Sequence, residues 1–274
     1  MENRIEKFEI YLDEEEKSSN TKEKYLRDLR VFFRFARGRE WDKALMIEYK
    51  EYLKESYALS SANSMIAALN AYLDFSGMGD LHIKRFKVQR SGFASQNKEL
   101  THNEYSRLVK TARMNNNERL AIIIETICAC GIRVSELSYI TAEGVRRGEI
   151  QVSCKGKSRK VFIVSSLQKK LVSYAKKKNI KDGEIFVTRS GKSLSRCNIW
   201  REMKGLCERA GVSPEKVFPH NLRHLFARTF YNMEKDIVRL ADILGHSSID
   251  TTRIYTATSG AEHRRKMENM RLVI

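Results

Sequence analysis

Two prolines in 274 residues leave nearly every segment free to be helical, since proline both removes a hydrogen-bond donor and clashes inside a helix. The chain is therefore expected to be mainly α-helical. Over roughly its first 80 residues the apolar positions agree. Tyr25, Leu29, Phe32 and Phe33 recur at helical spacing behind Thr21, a residue able to cap that helix. A second helix is expected over 43–53, and a third after Ser60–Ser61 with Met65, Leu69 and Leu73 on one stripe. Arg27, Arg30 and Arg34 lie three and four apart, so their guanidinium groups line one face. That row suits either a grip on phosphates or a plain solvated surface.

Between 84 and 98 the periodicity fails, in KRFKVQRSGFASQNK. Basic, small and polar residues without a stripe read as a connection between two parts. The division expected is a helical domain at 1–88, a linker at 89–98 and a second domain at 99–274. Thr101-x-x-Glu104 is a capping-box signature, and a strongly apolar helix over 118–129 should stop at Gly131. GEIQVSC and RKVFIV then favour strands on either side of Lys155-Gly156-Lys157-Ser158, which predicts a hairpin, with a third short strand at 184–187. Helices follow at 166–178, 196–210, 220–232 and 235–244, a short one at 248–254 and a C-terminal one over 260–270. The fold class expected is mainly α with a small antiparallel β-sheet.

Charge narrows the function. Lys and Arg number 51 against 34 Asp and Glu, a net of +17. Residues 1–90 hold 17 basic and 16 acidic side chains, so 91–274 carry +16 of that excess. Such concentration points to a polyanionic partner, nucleic acid first. No run approaches the ~18 apolar residues that would span a bilayer, and MENRIEKFEI is charged where a signal peptide would be apolar. Five cysteines without a CxxC pair argue against a disulfide framework or a zinc ribbon. The reading is a soluble, cytoplasmic protein.

Several polar groups then stand out. Gly131-Ile132-Arg133-Val134-Ser135-Glu136-Leu137 places an Arg after a helix-ending Gly and a Glu three residues on, where it can hold the Arg or form an ordinary surface pair. Lys155 sits in a tight turn from which it can either reach a substrate or stay solvated. His220 and Arg223 share one face at the start of a helix after Pro219, where an anion is favoured. His220 and His224 are four apart, as metal ligands can be, but the zinc-protease pattern needs Glu where Asn221 stands. His246 follows a helix end in LGHSS, and Tyr255 comes nine residues later in TTRIYT. Taken together, two Arg, a Lys, two His and a Tyr are a kit for cutting a phosphodiester without a metal or a nucleotide cofactor. The arginines would bind the non-bridging oxygens, and a phenolate would attack phosphorus, keeping the bond energy as a phosphotyrosine.

On these motifs the chain resembles the tyrosine recombinases of the phage integrase family, most of all their Xer-type and transposon-integrase members. The resemblance covers nearly the whole length. It makes Arg133, Lys155, His220, Arg223, His246 and Tyr255 the catalytic residues, Tyr255 the nucleophile, Glu136 the companion of Arg133 and His224 a supporting residue. It implies a helical core-binding (SAM-like) domain and a catalytic domain forming a C-shaped clamp on double-stranded DNA, with no metal and no cofactor. It further implies a homo-tetramer on two DNA sites, with the C-terminal helix docking on a neighbouring protomer, and it allows for a partner recombinase or a DNA-bending factor. Two other functions share parts of this pattern: a type IB topoisomerase-like nicking-closing enzyme, and a catalytically silent DNA-binding regulator.

Overall fold

The computed structural model describes residues 2–87, 99–154, 157–188, 190–246, 248–255, 264 and 267–270. Two compact units divide the chain, residues 1–90 and 91–274.

Among the described residues the first unit has four α-helices: α1 Glu2–Glu14, α2 Ser19–Phe35, α3 Lys43–Ser56 and α4 Leu59–Phe75. Phe8 and Leu12 of α1, Leu29 and Phe32 of α2, Tyr49 and Leu53 of α3, and Ile66 and Tyr72 of α4 bury themselves in one core. Aromatic edges set its geometry, with Phe8 at 5.1 Å from Tyr72 and Phe32 at 5.0 Å from Trp41. The charged start of the chain hides α1, whose Ile5, Phe8 and Leu12 form a sparse stripe at helical spacing. Thr21 is not the cap of α2: the helix begins at Ser19 after Ser18, and the two hydroxyls pair at 2.9 Å. The segment leaving α4 is not loose at its start. Asn70 exchanges two hydrogen bonds with the backbone of Ile83 (3.0 and 3.1 Å), and Asn63 does the same with Phe86 (3.0 and 2.7 Å). The expected linker at 89–98 lies outside the described residues.

In the second unit, α5 His102–Met114 opens on the capping box read from the sequence, with Thr101 and Glu104 bonding each other's backbone at 2.8 and 3.2 Å. α6 Glu118–Cys130 buries Leu120 through Ile124, Thr126, Ile127 and Cys130, so other elements cover it on nearly every side. Gly131 ends it at φ +61°, a left-handed conformation that suits glycine. A six-residue 3-10 turn Val134–Tyr139 and α7 Ala142–Arg147 lead to strands β1 Glu149–Cys154 and β2 Lys157–Phe162. The strands are antiparallel, from Glu149 opposite Phe162 to Cys154 opposite Lys157. Then come α8 Ser165–Lys177, α9 Arg196–Lys204, α10 Cys207–Ala210, α11 Pro219–Glu234 and α12 Ile237–Leu244.

Three expectations change. Residues 184–187 make only isolated bridges, Thr141 with Glu184 and Val187 with Ser193, so the sheet has two strands among the described residues. The helix expected over 196–210 breaks after Lys204 into α9 and α10. The short helix near 248–254 is two 3-10 turns, Ile249–Thr251 and Arg253–Tyr255, too tight for an α-helical ladder. Of the C-terminal helix over 260–270, only 264 and 267–270 are described. Among the described residues no helix is long and apolar enough to cross a membrane.

Candidate active site

Helix ends build the site. Gly131 closes α6, and a Cβ on it would meet the Phe226 ring of α11 at 2.4 Å, so α11 packs directly on that turn. This closeness lets Arg223, on the first turns of α11, reach the Gly131 carbonyl with Nη1 at 2.6 Å. Its Nη2 reaches the Leu244 carbonyl at the end of α12, at 2.7 Å, and His246 Nε2 at 3.0 Å. Arg223 is almost wholly buried, at 1% exposure. Its Nε–H has no partner among the described residues. Burial first, then the nearby Arg133 charge, lowers its pKa to about 10, which still leaves it charged at neutral pH.

The same contact fixes the state of His246. A guanidinium can only donate, so Nε2 accepts and the ring's proton lies on Nδ1. Nδ1–H then donates to the hydroxyl of Thr252, a fully buried side chain, at 2.8 Å. Burial, followed by Arg223, Arg133 and Arg159, depresses His246 to about 4. His224 is also pushed to about 4, by burial, then His220 and Arg223. His220 is lowered by partial burial, then by the charges of Arg223 and Arg133, and the residue as a whole is exposed.

Tyr255 completes the cluster. Only 4% of it is exposed, in a pocket of Ala227, Leu240 and Leu244 with Phe226, Phe230 and Tyr231 around them. Its ring meets His224 edge-on at 4.9 Å and lies nearly parallel to His246 at 6.1 Å. His224 in turn lies 4.5 Å from His220. Burial raises the phenol's pKa, and the charges of Arg223 and Arg133 work against that rise.

Arg133 is held by a carboxylate. Glu136, 3% exposed, receives the Arg133 backbone N–H at 2.8 Å and its Nη1 at 2.9 Å. Burial works to raise this carboxyl, but hydrogen bonds from Arg159 and Arg133 and the charge of Arg159 outweigh it and hold it below its ordinary value.

The structure therefore brings Arg133, Glu136, His220, Arg223, His224, His246 and Tyr255 together. Lys155 lies outside the described residues. Arg27, Arg30 and Arg34 belong to the first unit, where they stand exposed on α2 and, with Arg37, Ile5, Val31 and Phe33, line a groove of about 590 Å³. Two members of the cluster escaped the sequence reading. Arg159 on β2 shares its face with Val161 and Ile163, so a charged residue stood in a core-facing register, and that was a readable signal. Thr252 had no such signal, because its role depends on where His246 lands.

The protein resembles known chains along its whole length. The profile described as Phage integrase family matches residues 98–262, and that described as Phage integrase, N-terminal SAM-like domain matches 5–76. Tyrosine recombinase XerA of Thermococcus kodakarensis is 32% identical, over 98% of this chain and 95% of its own. A crystal structure of XerA recombinase matches at 25% identity and a TM-score of 0.55, covering 100% of this chain and 99% of that one. A lambda integrase dimer bound to a core site matches at a TM-score of 0.72 over 93% and 94% of the two chains; at 17% identity it shares the fold. A mostly helical fold with this cluster of arginines, histidines and a tyrosine thus defines the class. The chain belongs to the phage integrase family.

Proposed function

We propose that this chain is a site-specific DNA recombinase of the tyrosine type, which cuts and rejoins double-stranded DNA through a covalent 3′-phosphotyrosyl intermediate on Tyr255, without metal or ATP. The observation that carries this is the packing of Tyr255 against His224 and His246 beside a buried, charged Arg223. A phosphodiester placed there meets its nucleophile and its anion-binding groups within one protomer.

In this reading Arg133 and Arg223 bind the non-bridging oxygens and stabilise the charge that builds on phosphorus. His220, held neutral and reaching solvent, accepts the Tyr255 proton as the phenolic oxygen bonds to phosphorus. The bond from phosphorus to the 5′-oxygen breaks, and Lys155 supplies that oxygen's proton. Attack by a 5′-hydroxyl on the phosphotyrosine reverses every step. His246 aims Arg223 at rest, since its Nε2 accepts from that side chain. It donates to a phosphate oxygen only after its ring gains or moves a proton.

The first unit would add affinity through Arg27, Arg30 and Arg34, whose exposed row tracks a phosphate backbone. The domain division then becomes a division of labour, with 1–88 gripping DNA and 99–274 performing the chemistry. Four such protomers on two DNA segments, in the cytoplasm, would exchange strands.

The test incubates the protein, in EDTA, with fragments of the DNA flanking its own gene. Wild-type protein should leave a protein-linked strand after denaturation, and Tyr255→Phe should leave none while binding DNA within about threefold of wild type. An adduct that persists in Tyr255→Phe would overturn the assignment of the nucleophile. Wild-type binding without any adduct would favour a silent DNA-binding protein.

A further inference from the structure

Glu136 is saturated. Oε1 accepts from Arg133 Nη1 at 2.9 Å and from Arg159 Nη1 at 3.1 Å. Oε2 accepts from the Arg133 backbone N–H at 2.8 Å and from Arg159 Nη2 at 2.7 Å. Those four donors match what a carboxylate can accept. Of the two guanidinium groups, Arg159 is the inner one, with 13% of its side chain exposed against 36% for Arg133. Its Nε–H donates to the Ile243 carbonyl of α12 at 3.1 Å. A Cβ on Gly245 would stand 2.8 Å from Arg159 Cδ, so the turn just before His246 packs against this side chain. Arg159 thus touches the carboxylate that holds Arg133, the end of α12 and the turn that aims His246.

The charge balance gives this contact a consequence. Arg133 paired with Glu136 alone would be neutral, and a neutral pair has little to offer a phosphate. With Arg159 the trio keeps one net positive charge, and the outer member displays it. We propose that Arg159 is a positioning residue of the phosphate-binding site: it neutralises Glu136 from within, so that Glu136 fixes the Arg133 guanidinium without cancelling its charge, while the bond to Ile243 steadies the His246 turn. This assignment rests on the reading of Arg133 as a clamp on the scissile phosphate. It differs from a structural ion pair in predicting a loss that depends on the charge of the substrate.

The experiment uses the full chain and the duplex captured in the adduct test, prepared once with its natural scissile phosphate and once with a methylphosphonate, where a methyl replaces an anionic oxygen. In single-turnover cleavage, Arg159→Met should slow the natural duplex by about 10–100-fold and the methylphosphonate by no more than about threefold. Adding Glu136→Gln to that variant should restore most of the lost rate, because an amide takes no charge from Arg133. Equal slowing on both duplexes, or wild-type rates, would overturn the proposal. If Arg159→Met does not fold, Arg159→Gln, which also removes the charge, is judged by the same ratio, with equal slowing again decisive against it. Should wild-type protein capture no duplex, the recombinase reading fails by itself. The arginine side-chain ¹⁵N spectrum of the free protein then decides the positioning role. The Arg133 Nε–H signal, assigned by its loss in Arg133→Lys, should shift or broaden when Arg159 is replaced, and an unchanged signal would sink the idea.

Discussion

Arg223 and Arg133 solve one problem in two ways. A side chain that must present positive charge to an anion has to be held still without being neutralised. Arg223 is held by neutral acceptors, the carbonyls of Gly131 and Leu244 and the Nε2 of His246, so none of its charge is spent. Arg133 is held by a carboxylate and needs a second cation behind it. The histidines beside them feel the same field. His224 and His246 stay neutral in the fold down to about pH 4, whereas in the unfolded chain each takes up its proton near pH 6.5. Between those values the unfolded state binds more protons, so stability should fall as the pH drops from about 6.5 towards 4. Urea unfolding at a series of pH values should show a declining midpoint through this window. His224→Phe should flatten the decline, and an equal slope in that variant would show that His224 does not contribute.

At the scale of elements, the site is a meeting of helix ends. The Gly131 turn after α6, the first turns of α11 and the end of α12 supply the backbone carbonyls that aim Arg223. Their approach depends on the missing Cβ at Gly131, where φ is +61° and the Phe226 ring would be struck at 2.4 Å. Gly131→Ala should cost about 2–3 kcal/mol, from left-handed strain and from separation of α6 and α11. It should also slow DNA cleavage, because the carbonyl partner of Arg223 moves. Thermal melting with single-turnover cleavage checks both; a variant with wild-type melting and rate would show that the turn tolerates the methyl. Elements were legible where their signals are local. The Thr101–Glu104 box, the apolar run of α6 and the existence of the hairpin could all be read from neighbours in sequence. The third strand expected at 184–187 misled because strand-favouring residues found no partner beyond single bridges. α1 was missed because its stripe is thin among charges.

For the whole molecule, charge sets the terms of association. The net of +16 carried by residues 91–274, with the exposed arginine row on α2, calls for many phosphate contacts. DNA affinity should fall steeply and log-linearly with salt. Replacing Arg27, Arg30 and Arg34 together by Ala should reduce that slope by about two to three, while the adduct chemistry at saturating DNA stays near wild type. An unchanged slope would leave that row a solvated face, the other way its spacing can be read.

The order of chemistry-bearing residues was written in the chain: GIRVSEL, PHNLRH, LGHSS and TTRIYT carry the family resemblance and the candidate nucleophile without any coordinates. Those motifs are short, so residue type and spacing suffice to mark them. The tautomer of His246, the buried Thr252 that accepts its Nδ1–H hydrogen bond and the carboxylate that Arg159 backs could not be read that way. The tautomer and the Arg159 contacts depend on atoms brought from far along the chain, with Arg223 23 positions from His246 and Arg159 meeting residues 23 and 84 positions away. Only the packed fold decides which donors reach which acceptors, because hydrogen bonds act over about 3 Å while sequence separation places no atom.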